Sequence, residues 1–249
     1  MSINKIVIRS HGGLGNQLFQ LFYGNLISQR NKHAAIIIVH DSSYSHKFSL
    51  APELTEYETF GKYNAIRLLV LSRIFKILEK VKINSGVLTI HNTKFMDGYF
   101  QNPELYQDFD EKEIEFALNV LRKKFSIKNE KNIETLEHIR MADFFKNEAQ
   151  RIEYLKERLK RVSNGSHILS TDDDLLNNIE IQKILKEKQC VTIDSLNKTA
   201  SEIIEIMAKA RSIISNDSTL AFWAAVLSNS DYVCQRKDLK KLYKKFLNY

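Results

Sequence analysis

The stretch that decides the fold is Ile6–Ile27, which reads IVIRSHGGLGNQLFQLFYGNLI. Its β-branched start predicts a buried strand. A turn is predicted at Gly12, Gly13 and Gly15. The apolar residues that follow at helical spacing predict a helix that begins at Asn16. Glycines let the backbone bend sharply and leave no Cβ between the backbone and a ligand. A helix start also directs unpaired N–H groups and the positive end of its dipole at the turn. The stretch therefore predicts a site for an anion or a polar sugar.

The same residues are also compatible with a tight turn that serves packing alone. A strand, a glycine turn and a helix occur together in many proteins. The last glycine of the dinucleotide-binding pattern is absent, because Leu18 stands at its place. The stretch by itself leaves both interpretations open, and the rest of the chain has to decide between them.

Length and composition are those of an ordinary globular protein. The chain has 249 residues, of which 43% are hydrophobic, enough for one large domain or two modest ones. Its two cysteines, Cys190 and Cys234, have no metal-type spacing, so we expect a reducing compartment and no disulfide framework. The N-terminal residues lack the regions of a signal peptide, and no apolar run approaches the roughly 20 residues that span a bilayer. We therefore expect a cytoplasmic protein.

The net charge of +7 is concentrated in two segments. Residues 63–82 carry five basic side chains and one acidic side chain, and residues 236–249 carry six basic side chains and one acidic side chain. The remainder of the chain is slightly acidic. This distribution argues against nucleic acid as a partner. Both segments are amphipathic at helical spacing, which allows two interpretations. One is peripheral docking on an anionic membrane surface, and the other is a helix that packs its apolar face on the protein and keeps its lysines in water.

Strands and helices are predicted to alternate along the chain. After the first strand, the candidate strands are 35–39, 87–90, 133–139, 167–171, 190–193, 212–215 and 232–234. After the first helix, the candidate helices are 63–82, 108–123, 149–162 and 201–210. Such alternation predicts an α/β fold with a mostly parallel sheet, whose ligands bind at the carboxyl ends of the strands. The charged stretch 124–131 predicts a boundary between an N-terminal domain, 1–127, and a C-terminal domain, 128–249.

The segment Met96–Tyr106 supplies a polar cluster after a predicted strand. Tyr99 can pack on the apolar face of a sugar, while Asp97 and Gln101 can hydrogen-bond its hydroxyl groups. The alternative is that the aromatic side chains belong to the core, beside a helix whose first turn contains Pro103.

A second cluster, His138–Phe144, follows the strand 133–139. The forked, permanently charged guanidinium of Arg140 suits the binding of a pyrophosphate and its stabilisation as a leaving group. Asp143 could orient that guanidinium, and His138 could pair with a neighbour or a ligand hydroxyl. An ordinary surface arginine with a carboxylate partner would show the same spacing.

Two further clusters also follow strands. The acidic run Asp172–Asp174 could hold a divalent metal on a nucleotide sugar, accept hydrogen bonds from a nucleoside, or cap a helix that starts near Leu175. The segment 213–225 combines a strand, small hydroxyl residues and an apolar helix. Ser218 and Thr219 are then available to phosphate oxygens, unless one of them serves only as the N-cap.

Segments from both ends of the chain resemble the bacterial α-1,2-fucosyltransferases, which are related to the α-1,6- and protein O-fucosyltransferases. GGLGNQLFQ at Gly12–Gln20 resembles the N-terminal signature of that family, and GYFQ at Gly98–Gln101 resembles a second segment. His138, Arg140 and Asp143 match the family's His-x-Arg-x-Gly-Asp core in register. The chain departs from that core at the two positions between Arg140 and Asp143, where it has Met in place of a second Arg and Ala in place of Gly.

The resemblance continues to the end of the second half. Residues 169–173 resemble the family's Phe-Ser-Asp-Asp segment. Residues 217–225 resemble its Asn-Ser-Thr-Phe-Ser-Trp-Trp-Ala-Ala segment, with Asp217 in place of Asn, Leu220 in place of Phe and Phe222 in place of the first Trp. If the family's Phe packs on the guanine base, Leu220 would do so less well.

The resemblance implies a GT-B-like enzyme, with two Rossmann-like halves facing a central cleft. It implies an inverting transfer of L-fucose from GDP-β-L-fucose to a galactose-type hydroxyl, without metal or cofactor, and bacterial surface polysaccharide as the setting. The C-terminal half would bind the nucleotide sugar and the N-terminal half the acceptor, an oligosaccharide or lipid-linked glycan. The implied catalytic residues are Arg140, His138 and Asp143. The implied donor-binding residues are Gly13, Gly15, Asn16, Gln17, Asp172, Asp173, Asn216, Asp217, Ser218 and Thr219. The acceptor-side candidates are His11, Asp97, Tyr99 and Gln101, of which His11 and Asp97 are possible general bases by position.

Three other functions fit the residues. A metal-dependent glycosyltransferase would use Asp172 and Asp174. A transferase of the same fold could take another nucleotide sugar. A non-catalytic relative could use the two basic segments as a membrane-surface scaffold.

Overall fold

The computed structural model describes residues 3–40, 50–57, 87–128, 130–140, 147–170, 176–195 and 197–247. The basic segment 63–82 lies outside the described residues, and so do Asp143, Asp172, Asp173 and Asp174. The chain divides into two compact units, residues 1–126 and 127–248. The division lies inside the charged stretch 124–131. The acceptor and donor roles expected of the two halves stay predictions.

Unit 1 contains a sheet with the strand order β2-β1-β4-β3. Its described strands and α-helices are β1 Lys5–Ser10, α1 Leu14–Arg30, β2 Ala35–His40, β3 Val87–Ile90, β4 Thr93–Asp97 and α2 Glu111–Lys124. Strands β2 and β4 both run parallel to β1, while β3 forms an antiparallel hairpin with β4. Helix α1 is buried along most of its length, because its large apolar side chains point in several directions around the axis. It starts at Leu14 rather than Asn16, with Gly13 as the N-cap residue.

Strand β4 is absent from the sequence-based predictions, which place the polar segment Met96–Tyr106 after the strand 87–90 with no strand between them. In the structure the chain turns at His91 and Asn92 and returns through β4 before the loop at 98–106 begins. The half-buried Thr93 and Lys94 at its start give β4 no continuous apolar run, so its periodicity is weak. The loop therefore leaves from a strand beside β1.

Unit 2 contains an entirely parallel sheet with the strand order β7-β6-β5-β8-β9. Its strands are β5 Ile133–Ile139, β6 His167–Ser170, β7 Val191–Ile193, β8 Ala210–Ser215 and β9 Asp231–Val233. Its described helices are α3 Glu148–Arg161, α4 Ile179–Glu187, α5 Ala200–Ala208, α6 Thr219–Ser228 and α7 Lys237–Leu247. The predicted α/β class with mostly parallel sheets is confirmed. The predicted helix 201–210 ends earlier, because Ala210 already pairs with Ile133 in the sheet.

The strand order of unit 2 reverses between β5 and β8. From β5 the chain adds β6 and β7 on one side, then returns to add β8 and β9 on the other. Helices that leave adjacent strands in opposite directions open a crevice at the carboxyl ends of those strands, and doubly wound sheets bind their ligands there. The switch point places the ends of β5 and β8 side by side, which are the strands that precede Arg140 and Asn216.

The basic helix α7 packs its apolar face on the protein. Leu239, Leu242 and Phe246 are buried, and the Phe246 ring lies 6.0 Å from Phe222 and 6.2 Å from Trp223 between centroids. Most of its lysines face solvent. Of the two interpretations of this segment, the structure supports packing, since the apolar face is not available for insertion into a bilayer. Among the described helices, none combines the length and apolarity needed to cross a membrane.

We expect Gly12→Ala to destabilise the protein more than Gly165→Ala does. Both glycines have a left-handed backbone, with φ of +80° and +77°, so both substitutions incur a strain of about 1–2 kcal/mol. A Cβ at Gly12 would also lie 2.7 Å from Asn16 Nδ2 and 3.2 Å from Tyr99 Cε1, whereas a Cβ at Gly165 meets no atom within 4 Å. Urea unfolding of both variants measures the difference. Equal losses would mean that Asn16 and Tyr99 make room for the new methyl group at no cost in stability.

Candidate functional site

The side chain of Asn216 joins the ends of β5 and β8. Its Oδ1 accepts a hydrogen bond from the backbone N–H of Arg140 at 3.2 Å, and its Nδ2 donates to the carbonyl oxygen of Arg140 at 3.0 Å. The same Nδ2 donates to the hydroxyl group of Tyr154, on α3, at 2.9 Å. Arg140 is thereby fixed beside the segment that leads into α6.

Helix α6 begins directly after that contact. Ser218 is its N-cap residue, and its Oγ accepts a hydrogen bond from the Ala221 N–H at 3.3 Å. The Ser218 N–H itself donates to Ser215 Oγ at 3.3 Å. The structure thus gives Ser218 the capping role that the sequence left open. Thr219, half-buried in the first turn, stays the candidate for a contact with phosphate.

Asp217 holds the other side of the same segment. Its φ of 76° is left-handed, a conformation that Asp tolerates better than most residues with a Cβ. Its Oδ1 accepts a hydrogen bond from the backbone N–H of Arg236 at 2.8 Å. The carboxylate thus positions the segment before α6, and the predicted contact of Asp217 with the donor stays a prediction.

His138 is buried and uncharged at this edge. Burial, and then the positive charge of Arg140, lower its pKa to about 4. It is 1% exposed, and within the described part of the chain neither ring nitrogen has a hydrogen-bond partner. His138 is aligned with Ser215 across β5 and β8, so the two side chains share one face of the sheet. A neutral imidazole there can donate or accept a hydrogen bond, but it supplies no charge to an anion at neutral pH.

A second polar cluster lies at the carboxyl edge of unit 1. Asp97 Oδ2 accepts a hydrogen bond from Arg9 Nη1 at 3.0 Å, and Asp97 Oδ1 lies 3.4 Å from His11 Nε2. The His11 ring meets the Tyr99 ring edge-on, with centroids 4.7 Å apart. The structure therefore brings together three of the four acceptor-side candidates around a partly exposed tyrosine.

The fourth candidate, Gln101, joins this cluster through the turn. Its Nε2 donates to Asn16 Oδ1 at 2.8 Å, and Asn16 Nδ2 lies next to Gly12. Asn16 is half-buried. Its predicted contact with the donor stays a prediction, and the structure places it with the acceptor-side residues of unit 1.

Gln17 holds the glycine turn in place. It is 1% exposed; its Nε2 donates to the Gly12 carbonyl oxygen at 2.9 Å and its Oε1 accepts from the Ala51 N–H at 3.1 Å. Gln20, also buried, donates to the Gly98 carbonyl oxygen at 3.1 Å. The predicted contact of Gln17 with the donor stays a prediction.

The remaining predicted residues divide into two groups. Gly13 is the half-buried N-cap of α1, while Gly15 is buried within that helix. Asp143, Asp172 and Asp173 lie outside the described residues, so their roles stay predictions.

Across the ranges that the structure describes, no group of three or more His, Cys, Asp or Glu side chains could hold a metal ion.

Arg9, Tyr154 and Arg236 belong to these clusters but are absent from the sequence-based site. Each meets its partner only through the tertiary fold. The partners are Asp97 for Arg9, Asn216 for Tyr154 and Asp217 for Arg236, which are separated from them by 88, 62 and 19 positions in the sequence. None of them stands in a motif, so no local pattern identifies them.

No protein-family model and no curated protein matches the sequence. Among solved structures, the chain is similar to NodZ α-1,6-fucosyltransferase co-crystallised with GDP, at 11% identity, a TM-score of 0.45 and coverage of 91% of this chain and 93% of that one. It is similar to POFUT1 in complex with GDP, at 12% identity, a TM-score of 0.46 and coverage of 94% and 98%. It is also similar to a mutant of FUT1 of Arabidopsis thaliana in complex with GDP, at 10% identity, a TM-score of 0.46 and coverage of 95% of this chain and 72% of that one. These likenesses are remote.

We expect His138 to make unit 2 sensitive to acid. Its pKa is about 4 in the folded protein and near 6.5 when unfolded, so between these values the unfolded chain binds the extra proton. The free energy of unfolding should therefore fall as the pH drops from 6.5 to 4, by up to about 3 kcal/mol. Burial raises the pKa of Glu137, which acts in the opposite direction.

The difference between wild type and His138→Gln isolates this contribution, measured by urea unfolding between pH 7.5 and 4. The variant should show the shallower pH dependence. His91→Asn, at an exposed position where φ is 51°, serves as the control and should keep the wild-type slope. Parallel curves for wild type and His138→Gln would contradict the prediction.

Proposed function

We propose that the chain is a glycosyltransferase that moves L-fucose from GDP-β-L-fucose to a hydroxyl group of a galactose-containing glycan. The transfer inverts the anomeric carbon, needs no metal ion and makes an α-1,2 linkage, in the synthesis of a bacterial surface polysaccharide. The observation that carries the proposal is the contact between Asn216 and Arg140. It joins the backbone of a permanently charged residue to the segment before a buried helix, at the switch point of a doubly wound sheet. The motif resemblance supplies the identity of the sugar and the nucleotide.

The chemistry of the transfer requires such a site. Displacement at the anomeric carbon builds positive charge on the sugar ring and negative charge on the departing diphosphate. Arg140 and the N-terminus of α6 stabilise the diphosphate, because one carries a full positive charge and the other a partial one. In this proposal His138, being neutral, contributes a hydrogen bond, and Thr219 binds a phosphate oxygen.

The polar cluster of unit 1 is the proposed acceptor side. Tyr99 offers an aromatic surface to the apolar face of a sugar, while Asn16 and Gln101 offer amide groups to its hydroxyls. The acceptor hydroxyl transfers its proton either to the His11–Asp97 pair or to the departing diphosphate. In the first case, substitution of His11 lowers kcat and changes its pH dependence.

The choice of donor depends on Leu220. It lies half-buried in the first turn of α6, at the position where the fucosyltransferase motif has Phe. A smaller side chain offers less surface to a purine base, so another nucleotide sugar is the second candidate donor. Calorimetric titrations with GDP, UDP and ADP separate the two, since the proposal expects the tightest binding for GDP. Failure to bind any of the three would favour a non-catalytic relative.

We expect Arg140→Ala to lower the rate of fucose transfer from GDP-fucose by at least about 100-fold, because it removes the cation that faces the leaving group. The midpoint of thermal unfolding should stay nearly unchanged. Arg140→Lys should recover only part of the rate, since an ammonium group lacks the forked geometry.

Arg211→Ala is the matched control for this experiment. Arg211 also lies in unit 2, near the opposite end of β8, in an exposed ion pair with Glu134. Its removal should leave transfer and GDP binding as in wild type. Full activity of Arg140→Ala would remove the central assignment of the proposal.

We expect a chelator to have no effect on transfer. In the proposed mechanism Arg140 and the helix N-terminus take the place that a metal ion occupies in metal-dependent enzymes. The test compares initial rates with and without EDTA after extensive dialysis, and with Mn²⁺ or Mg²⁺ added back. Loss of activity that either ion restores would favour the alternative in which Asp172 and Asp174 bind a metal.

A further inference from the structure

We infer that Asn216 is a positioning residue that fixes Arg140 against the start of α6, rather than a residue that touches the nucleotide. The inference deepens the proposed function, because the ligand it concerns is the diphosphate of GDP. It is an alternative to the prediction that Asn216 binds the donor directly.

The hydrogen-bonding capacity of the Asn216 amide carries the first step. A primary amide has two N–H groups to donate and one oxygen to accept with. In the structure Nδ2 donates to the Arg140 carbonyl oxygen and to the Tyr154 hydroxyl, while Oδ1 accepts from the Arg140 N–H. Both amide protons are in use within the protein. A phosphate, which only accepts hydrogen bonds when ionised, would have to displace one of these contacts.

The position of Arg140 explains why such a contact is needed. Strand β5 pairs with β8 as far as His138 and with β6 as far as Ile139, so Arg140 lies two residues beyond the ladder with β8 and one residue beyond the ladder with β6. A backbone segment that leaves a sheet needs new partners for its N–H and C=O groups. The amide of Asn216 presents the same donor and acceptor as a peptide group, and it therefore continues the bonding between β5 and β8 past the end of the ladder.

The helix side of the segment is fixed independently. Asn216 precedes the N-cap Ser218 by two residues, and the Ser218 carbonyl oxygen accepts a hydrogen bond from Tyr232 at 3.3 Å. Asp217, between them, is held by the Arg236 N–H. The α6 N-terminus therefore has its own supports, and Asn216 is the described side chain that connects it to the backbone of Arg140.

The consequence for binding is preorganisation. Two positive groups stabilise one diphosphate best when the distance between them is set before the ligand arrives. Loss of the Asn216 amide leaves both groups in the protein but lets Arg140 move relative to α6. The binding of the diphosphate should then weaken, while the contribution of the nucleoside should not.

The test compares Asn216→Ala with Asn229→Ala. Asn229 is a matched control, because it is the C-cap of the same helix, at the opposite end, with a left-handed φ of 52° that makes Ala unfavourable there. Dissociation constants for GDP and for guanosine are measured by ligand-observed NMR on the full chain. Hydrogen exchange of the Arg140 amide is measured without ligand.

We expect Asn216→Ala to raise the Kd for GDP at least about 10-fold, to change the Kd for guanosine less than about 2-fold, and to speed exchange of the Arg140 amide at least about 10-fold. Asn229→Ala should leave all three quantities near their wild-type values.

The inference is overturned if the Kd for GDP does not rise, if both variants weaken the binding of GDP and of guanosine alike, or if GDP binding weakens while exchange of the Arg140 amide is unchanged. The last result would mean that Asn216 touches the nucleotide. If wild type itself binds no GDP, the proposed function fails, and this inference with it.

Discussion

The site in unit 2 depends on the burial of α6. Eight of the ten residues of this helix are buried, including Phe222 and Trp223, which are fully enclosed. The Phe222 ring lies edge-on to Trp223 and to Tyr232 of β9, and it also contacts Phe246 of α7. A helix enclosed on all sides cannot shift or tilt without opening the core. Its N-terminus is therefore a fixed point at the edge of the sheet, and the polar contacts of Asn216, Asp217 and Ser218 are built on it.

The segment before α6 shows how a strained backbone is kept in place. Asp217 adopts a left-handed conformation that costs a non-glycine residue about 1 kcal/mol or more, and its hydrogen bond to the Arg236 N–H offsets part of that cost. Such conformations persist where the surrounding contacts over-determine them. Here the contacts come from β5, α3, β9 and the residue before α7, so the segment is held from several elements at once. The site is consequently rigid before any ligand binds.

Sequence patterns identified the elements better than the roles of the side chains. The strand 133–139 was predicted with its observed bounds, from the alternation of strands and helices in the second half of the chain. Strand β4 was missed because its polar start hides it, and the start of α1 was placed two residues late because Gly13 and Gly15 suggest a turn. The motif residues that the structure describes do gather at the carboxyl edges of the two sheets. Gln17, however, stands in a motif and Asn216 directly before one, and nothing local distinguishes an amide that touches a ligand from one that binds the backbone. That distinction depends on Ala51, Tyr154 and Arg140, which lie at least 34 residues away.

The two units support their turns with the same chemistry. In unit 1 the buried amides of Gln17 and Gln20 bind the carbonyl oxygens of Gly12 and Gly98, and in unit 2 the amide of Asn216 binds the carbonyl oxygen of Arg140. An amide donates and accepts at once and does not titrate, so these contacts keep their geometry at any pH at which the units stay folded. A buried carboxylate or imidazole in the same place would add a charge, or a pKa, next to the anion that the site is proposed to bind. The titratable group at this edge, His138, is instead kept neutral by burial, and it has no hydrogen-bond partner among the described residues. Neutral amides therefore hold these turns, beside the ion pair of Arg9 with Asp97 in unit 1 and the carboxylate of Asp217 in unit 2. In unit 2 the positive charge is left to Arg140 and the helix N-terminus, the two features that the proposed anionic leaving group would need.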